Sequence, residues 1–196
     1  DVSVSISRVR ATDNGRTAEE HAVHNAVVAL GGNVGEVEST LRAAVREIDA
    51  LPGTQVTGIS PLYRTAAWGM ADGTPDFLNA VVELETTMGS HELLAALQNI
   101  EANHGRIREN HWDSRPLDLD GITSADPDLA LPHPRAWQRA FVLAPWLALN
   151  PNAKLAGAHE GPVADLLATA PDRNAVQLES EDWMLGGHAV KQESAS

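Results

Sequence analysis

Residues 1–10 alternate, with Val2, Val4 and Ile6 apolar and Ser3, Ser5 and Ser7 polar, which is the period of a half-buried strand. Residues 11–25 are polar, contain Asp13-Asn14-Gly15 as a turn signal, and read as a linker. From residue 26 the pattern changes. Residues 26–30 form a short apolar run, broken by Gly31-Gly32-Asn33. Val37, Leu41, Ala44, Val45, Ile48 and Leu51 then recur at helical spacing and predict an amphipathic helix that Pro52-Gly53 ends. Residues 54–63 are rich in β-branched side chains and predict a second strand. The stretch 65–75 holds Gly69, Gly73 and Pro75 and predicts a loop, and 77–86 a third strand. Ser90 is placed to cap a second helix that turns Leu93, Leu94, Leu97 and Ile100 inward and stops at Gly105. An arginine-rich loop leads to a fourth strand at 118–120.

The order βαββαβ predicts an α+β, ferredoxin-like fold, an antiparallel sheet with helices packed on it. Further helices are expected at 132–149, opened by Pro132-His133-Pro134, and at 163–170. The expected organisation is a strand at 1–10 left from another domain, a linker at 11–25, a main domain at 26–178 and a polar tail at 179–196.

A length of 196 residues, 43% of them hydrophobic, suits one domain with a real core. No apolar run approaches the roughly 18 residues that span a bilayer. No N-terminal signal pattern is present, so a soluble, cytoplasmic protein without a membrane partner is expected. With no cysteine, disulfides, thiolate catalysis and Cys-based zinc sites are excluded. A net charge of −13 disfavours nucleic acid and anionic membranes as partners.

Against that acidic background, Arg106, Arg108, Arg115, Arg135 and Arg139 crowd one region, and only Lys154 and Lys191 are lysines. Planar guanidinium groups suit bidentate contact with phosphate. The densest chemistry is Arg115-Pro116-Leu117-Asp118-Leu119-Asp120. In a strand, Asp118 and Asp120 project from one face about 7 Å apart. Their repulsion is relieved by a hard divalent cation such as Mg²⁺, which brings phosphates with it. The alternative is a polar strand face in solvent, and the run alone does not separate the two. Gly31-Gly32-Asn33 lacks the pattern of a P-loop or dinucleotide fingerprint and reads as a structural turn. His21 and His24 have metal-like spacing but no further ligands nearby.

Five segments in order, LGGNVG at 30–35, YRTAAWG at 63–69, DFLNAVVELET at 76–86, the block from Gln98 to Asp120, and LPHPR with RAFVLAPW at 131–146, resemble the 6-hydroxymethyl-7,8-dihydropterin pyrophosphokinases of folate biosynthesis. The resemblance covers about 26–170. It implies transfer of pyrophosphate from ATP to the hydroxymethyl group of the reduced pterin, with release of AMP. It also implies that Asp118 and Asp120 hold two Mg²⁺ ions and that Arg106 and Arg115 act at the transferring phosphates. Gln98, Glu101, Arg108, Trp112, His133 and Arg139 match the ATP site. Thr65, Trp68, Phe77, Asn79, Trp112 and Phe141 match the pterin pocket. Such chemistry asks a protein for positioning and charge neutralisation, and no residue here stands out as a general base.

The match has departures. Ala66-Ala67-Trp68 stands where the family more often has a Pro-Pro-Leu type sequence, and His111 lies near a position that is often basic. The interval from Asp120 to His133 is several residues short, and residues missing there are expected rather than a lost strand. Residues 1–10 resemble the last strand of dihydroneopterin aldolase, so a kinase fused to that aldolase is expected. Two other functions remain open: a pterin- or nucleotide-binding module without transfer, and an Mg²⁺-dependent phosphohydrolase. Asn79 and the aromatics disfavour the phosphohydrolase, because hydrolysis needs no heterocycle pocket.

Overall fold

The computed structural model describes residues 23–66, 75–105, 118–124, 138–155 and 159–185; within 118–124 it describes the backbone and the Leu119 side chain. The first strand, β1 (His24–Gly32), begins inside the stretch expected to be linker. Ala26, Val28 and Leu30 on one face and Val27 on the other are all buried, as in a strand covered on both sides. The helix α1 (Val37–Asp49) buries the stripe Val37, Leu41, Ala44, Val45 and Ile48, as its spacing predicts. Gly53, at φ +62°, supplies the left-handed turn that returns the chain to the sheet.

The second expected strand is two strands, β2 (Thr54–Ile59) and β3 (Leu62–Thr65). Both pair antiparallel with β4 (Phe77–Thr86). The break falls at Ser60-Pro61, where proline cannot donate to a ladder. The Ser60 N–H still bonds the Val81 carbonyl at 2.9 Å. The Val81 N–H, however, donates to the Ser60 hydroxyl at 2.8 Å instead of to a carbonyl. The Ser60 carbonyl accepts from the Trp183 indole at 2.8 Å.

The helix α2 (Ser90–Asn103) starts one residue earlier than expected: Gly89 is the cap, and Ser90 is the first helical residue and is buried. It is followed by β5 (Asp118–Ser124), which runs four residues past Asp120 and pairs with β1 with a shift in register at Val27/Val28. Then come α3 (Ala140–Leu149), the short pair β6 (Lys154–Leu155) and β7 (Gly161–Pro162), and α4 (Val163–Thr169). Residues 132–137, expected to open the third helix, lie outside the described residues.

The main sheet runs β5-β1-β4-β3-β8, where β8 is Val176–Ser180, with β2 also on β4. Its first three members with the β2/β3 strand give the ferredoxin-like order, and the fold is α+β. One core lies between the sheet and α1 and α2, with Leu30, Leu41, Ile48, Leu84, Leu97 and Leu119 in it. A second core, with Val27, Val81, Val142, Leu143 and Trp146, lies under α3 on the opposite face.

The expected polar tail from residue 179 is corrected by the structure. Glu179 belongs to β8 (Val176–Ser180), which pairs with β3, and a 3-10 turn at Trp183–Leu185 follows it. Trp183 is 1% exposed and packs in the first core. A large apolar ring outweighs the polarity of its neighbours, because burying it removes more apolar area from water than any other single side chain here can. The Arg42 guanidinium of α1 donates to the Trp183 carbonyl at 3.2 Å and ties the turn down.

Candidate active site

The strand registers build the site before any side chain is considered. Gly31 of β1 lies opposite Asp118 of β5 on one side and Asn79 of β4 on the other. Asn79 in turn lies opposite Tyr63 of β3. One row therefore crosses four strands in the order 118, 31, 79, 63. Asp120 follows two residues on, opposite Ala29. With strands about 4.8 Å apart, positions 118 and 79 are separated by about 10 Å. Directly opposed residues share a sheet face, and for this row it is the face covered by α3, since Val27, Ala29 and Val81 belong to the core beneath that helix.

Asn79 is buried at 6% exposure, which an amide tolerates only with partners. Its Nδ2 donates to the Thr65 hydroxyl at 2.9 Å. That leaves a second N–H and the Oδ1 lone pairs, a donor and an acceptor side by side. A Cβ built on Gly31 would lie 2.9 Å from Asn79 Oδ1, so the glycine makes room for the amide. Phe77 sits opposite Thr65 and is half-buried. Phe141, on the first turn of α3, is half-buried and packs against the second core. The structure thus brings Thr65, Phe77 and Asn79 together on adjoining strands and sets Phe141 on the helix that covers their face. Asn33, just past β1, donates to the Pro75 carbonyl at 3.1 Å and joins the glycine turn to the start of β4.

Gln98 and Glu101, expected as a pair, lie in different surroundings. Gln98 is exposed, whereas Glu101 is 3% exposed. The Glu101 carboxylate accepts the Leu119 N–H at 2.7 Å, at the residue between the two aspartates. This contact was not legible in the sequence, because spacing on a helix does not reveal which strand the helix covers. Arg139 caps α3, and its Nε is buried with no hydrogen-bond partner among the described residues. Arg106, Arg108, Trp112, Arg115, Trp68 and His133 lie outside the described residues.

Tyr63 is partly buried, and burial first, then the nearby Glu181 carboxylate, raises its phenol above the usual value. Arg64 forms a fork with Glu179, at 3.0 Å from Nε and 2.9 Å from Nη2. Asp76, at 3.7 Å, adds a second carboxylate. The hydrogen bond to Glu179 is the main cause of the raised guanidinium pKa.

A family model described as 7,8-dihydro-6-hydroxymethylpterin-pyrophosphokinase (HPPK) matches residues 27–151, the span that contains the whole row and all of α3. The chain belongs to that family. Among its pyrophosphokinase relatives, the 2-amino-4-hydroxy-6-hydroxymethyldihydropteridine pyrophosphokinase of Pseudomonas aeruginosa is 38% identical over 154 residues, 76% of this chain and 93% of that one. The protein of the same name from Methylorubrum extorquens is 39% identical over 137 residues, 67% of this chain and 86% of that one. A protein of Arabidopsis thaliana named "Folate synthesis bifunctional protein, mitochondrial" is 41% identical over 135 residues, 66% of this chain and 24% of that one.

Among the described residues, no helix is long and apolar enough to cross a membrane.

Proposed function

We propose that this chain is a 2-amino-4-hydroxy-6-hydroxymethyldihydropteridine diphosphokinase. It transfers pyrophosphate from ATP to 6-hydroxymethyl-7,8-dihydropterin in folate biosynthesis. The pterin hydroxyl oxygen attacks the β-phosphorus of ATP. The bond from that phosphorus to the α-phosphate's bridging oxygen breaks, AMP leaves with the electron pair, and the hydroxyl proton is lost. The supporting observation is the row 118–31–79–63, which sets an acidic strand two strand spacings from a buried, oriented amide within the span the family model matches.

In this reading Asn79, oriented by Thr65, reads the polar edge of the pterin, and Phe77, Phe141, Trp68 and Trp112 supply aromatic faces for a flat ring. Arg106 and Arg115 neutralise charge at the transferring phosphates. Gln98, Arg108, Trp112, His133 and Arg139 hold the nucleotide. Glu101, already bonded to Leu119, serves the nucleotide side by fixing β5. Asp118 and Asp120 offer hard oxygen donors at i, i+2 on a strand whose register is set against Gly31 and Ala29, and that donor set fits Mg²⁺. Two such ions, when bound, would neutralise phosphate charge and polarise the phosphoryl oxygens.

A cytoplasmic location, and small molecules rather than nucleic acid or membrane as partners, belong to the same proposal, and the net charge of −13 supports the choice of partners. Fusion to an upstream dihydroneopterin aldolase, with residues 1–10 as its last strand and 11–25 as linker, is proposed as well, and the word "bifunctional" in the Arabidopsis relative's name is in keeping with it. The mass of the native product checks it: a product starting near Asp1 removes the idea.

The test is to incubate the protein with ATP, Mg²⁺ and the pterin and follow the products by mass spectrometry. AMP and pterin diphosphate are expected in equal amounts. Binding without AMP would instead favour a non-catalytic module. Phosphate or pyrophosphate released without pterin would favour a phosphohydrolase.

A further inference from the structure

The segment from Val176 to Leu185 lies outside the residues the family model matches, yet it is built into the sheet and the core. It engages β3 in three ways. As the strand β8, it pairs with β3 at Leu62, Tyr63, Arg64 and Thr65. Through Glu179, it holds Arg64 by a two-point fork. Through Trp183, it satisfies the Ser60 carbonyl at the break from which β3 starts.

The third contact reaches furthest. In an unbroken antiparallel ladder the Val81 N–H would take the carbonyl of its partner. Here it takes the Ser60 hydroxyl, and that hydroxyl also bonds the Pro61 carbonyl at 2.7 Å. The Ser60 carbonyl is thereby turned from β4 into the core. Ser60 is 1% exposed, so its carbonyl is cut off from water and Trp183 is the partner the structure gives it. Ser60 is thus joined to Val81, two residues from Asn79, while β3 ends five residues later at Thr65, the hydroxyl that orients Asn79. β3 is only four residues long. A strand so short has little ladder of its own with which to hold a side chain in place.

We infer that Trp183 and Glu179 are positioning residues for the heterocycle half of the site: by fixing both ends of β3 from outside, they set the Thr65 hydroxyl and through it the Asn79 amide. This rests on the function proposed above. Neither residue lies on the strand that holds the acidic pair, so the nucleotide half is expected to be insensitive to them.

The test measures the KM for pterin at saturating ATP and the KM for ATP at saturating pterin, in Trp183→Phe and Glu179→Gln. The first change keeps an aromatic body and removes the N–H; the second keeps the shape and weakens an exposed fork. Trp183→Phe is expected to raise the pterin KM about tenfold, the scale of one buried hydrogen bond, with the ATP KM within about twofold. Glu179→Gln is expected to shift in the same direction by about threefold. Equal changes in both KM values, or none in either, overturn the inference. If Trp183→Phe fails to fold, Glu179→Gln decides alone by the same criterion. A wild-type protein that makes no AMP would instead defeat the proposed function, and the two failures are told apart in one assay.

Discussion

At the scale of single residues, the proposed pterin pocket rests on an amide held from two sides. Thr65 fixes one N–H of Asn79, and the missing side chain of Gly31 leaves space for its oxygen. Gly31→Ala is expected to push the amide aside, because the new Cβ would sit 2.9 Å from Oδ1. The loss of one or two hydrogen bonds to the pterin predicts a KM increase between about 5- and 100-fold with a much smaller change for ATP, checked by steady-state kinetics. A pterin KM like that of the unaltered protein would show that the amide is not the reader. Tyr63 offers a second check, since the chain has a single tyrosine and its ultraviolet titration reports that residue alone. Burial and Glu181 raise its pKa in the folded protein. The stability this gives is therefore complete below the ordinary tyrosine value near 10 and is lost as pH climbs toward the folded one. The expected observation is a midpoint above that of the same chain in denaturant. Asn79 was legible in the sequence because an amide inside an apolar strand needs a reason. The role of Gly31 was not, because a glycine before a turn has an adequate local explanation.

At the scale of elements, α2 and β5 are coupled through one buried carboxylate. Glu101→Ala removes the acceptor of the Leu119 N–H and leaves that donor buried. The expected loss is about 2–3 kcal/mol of stability, read from urea unfolding, since bonds to charged groups lie in that range. Glu101→Gln keeps an acceptor and is expected to lose less than half of that. An unchanged midpoint in Glu101→Ala would mean that the contact contributes little to holding the strand. Helical periodicity gave the buried stripes of α1 and α2 well, because an amphipathic face depends mainly on spacing. The division of residues 54–65 into β2 and β3 was missed, although Pro61, which cannot donate to a ladder, marks its place. The contacts of Ser60 with Val81 and Trp183, which hold the break, are tertiary and leave no local pattern.

At the scale of the molecule, the ferredoxin-like order and the antiparallel sheet followed from the sequence, since alternation of strand and helix periods leaves few arrangements. The C-terminal boundary did not. Residues 179–182, Glu-Ser-Glu-Asp, are all polar, and the fully buried ring of Trp183 that follows them decides the fate of the segment. Trp183→Ala would leave a large hole in the first core. It is expected to cost about 3–5 kcal/mol, measured by thermal or denaturant unfolding, whereas a mobile tail would show no change. The start of β1 at His24 likewise moves the domain's first strand into a stretch whose composition suggested a linker.

In the proposed reaction, the strand opposite Gly31 and Ala29 supplies two carboxylates for pyrophosphoryl transfer. The most direct measurement is turnover, with pterin affinity taken alongside, in Asp118→Asn and Asp120→Asn, which keep the shape and remove one charge each. AMP formation is expected to fall by about a thousandfold or more in each, while pterin affinity and the circular dichroism spectrum stay close to those of the unaltered protein. Turnover that survives either change would contradict it.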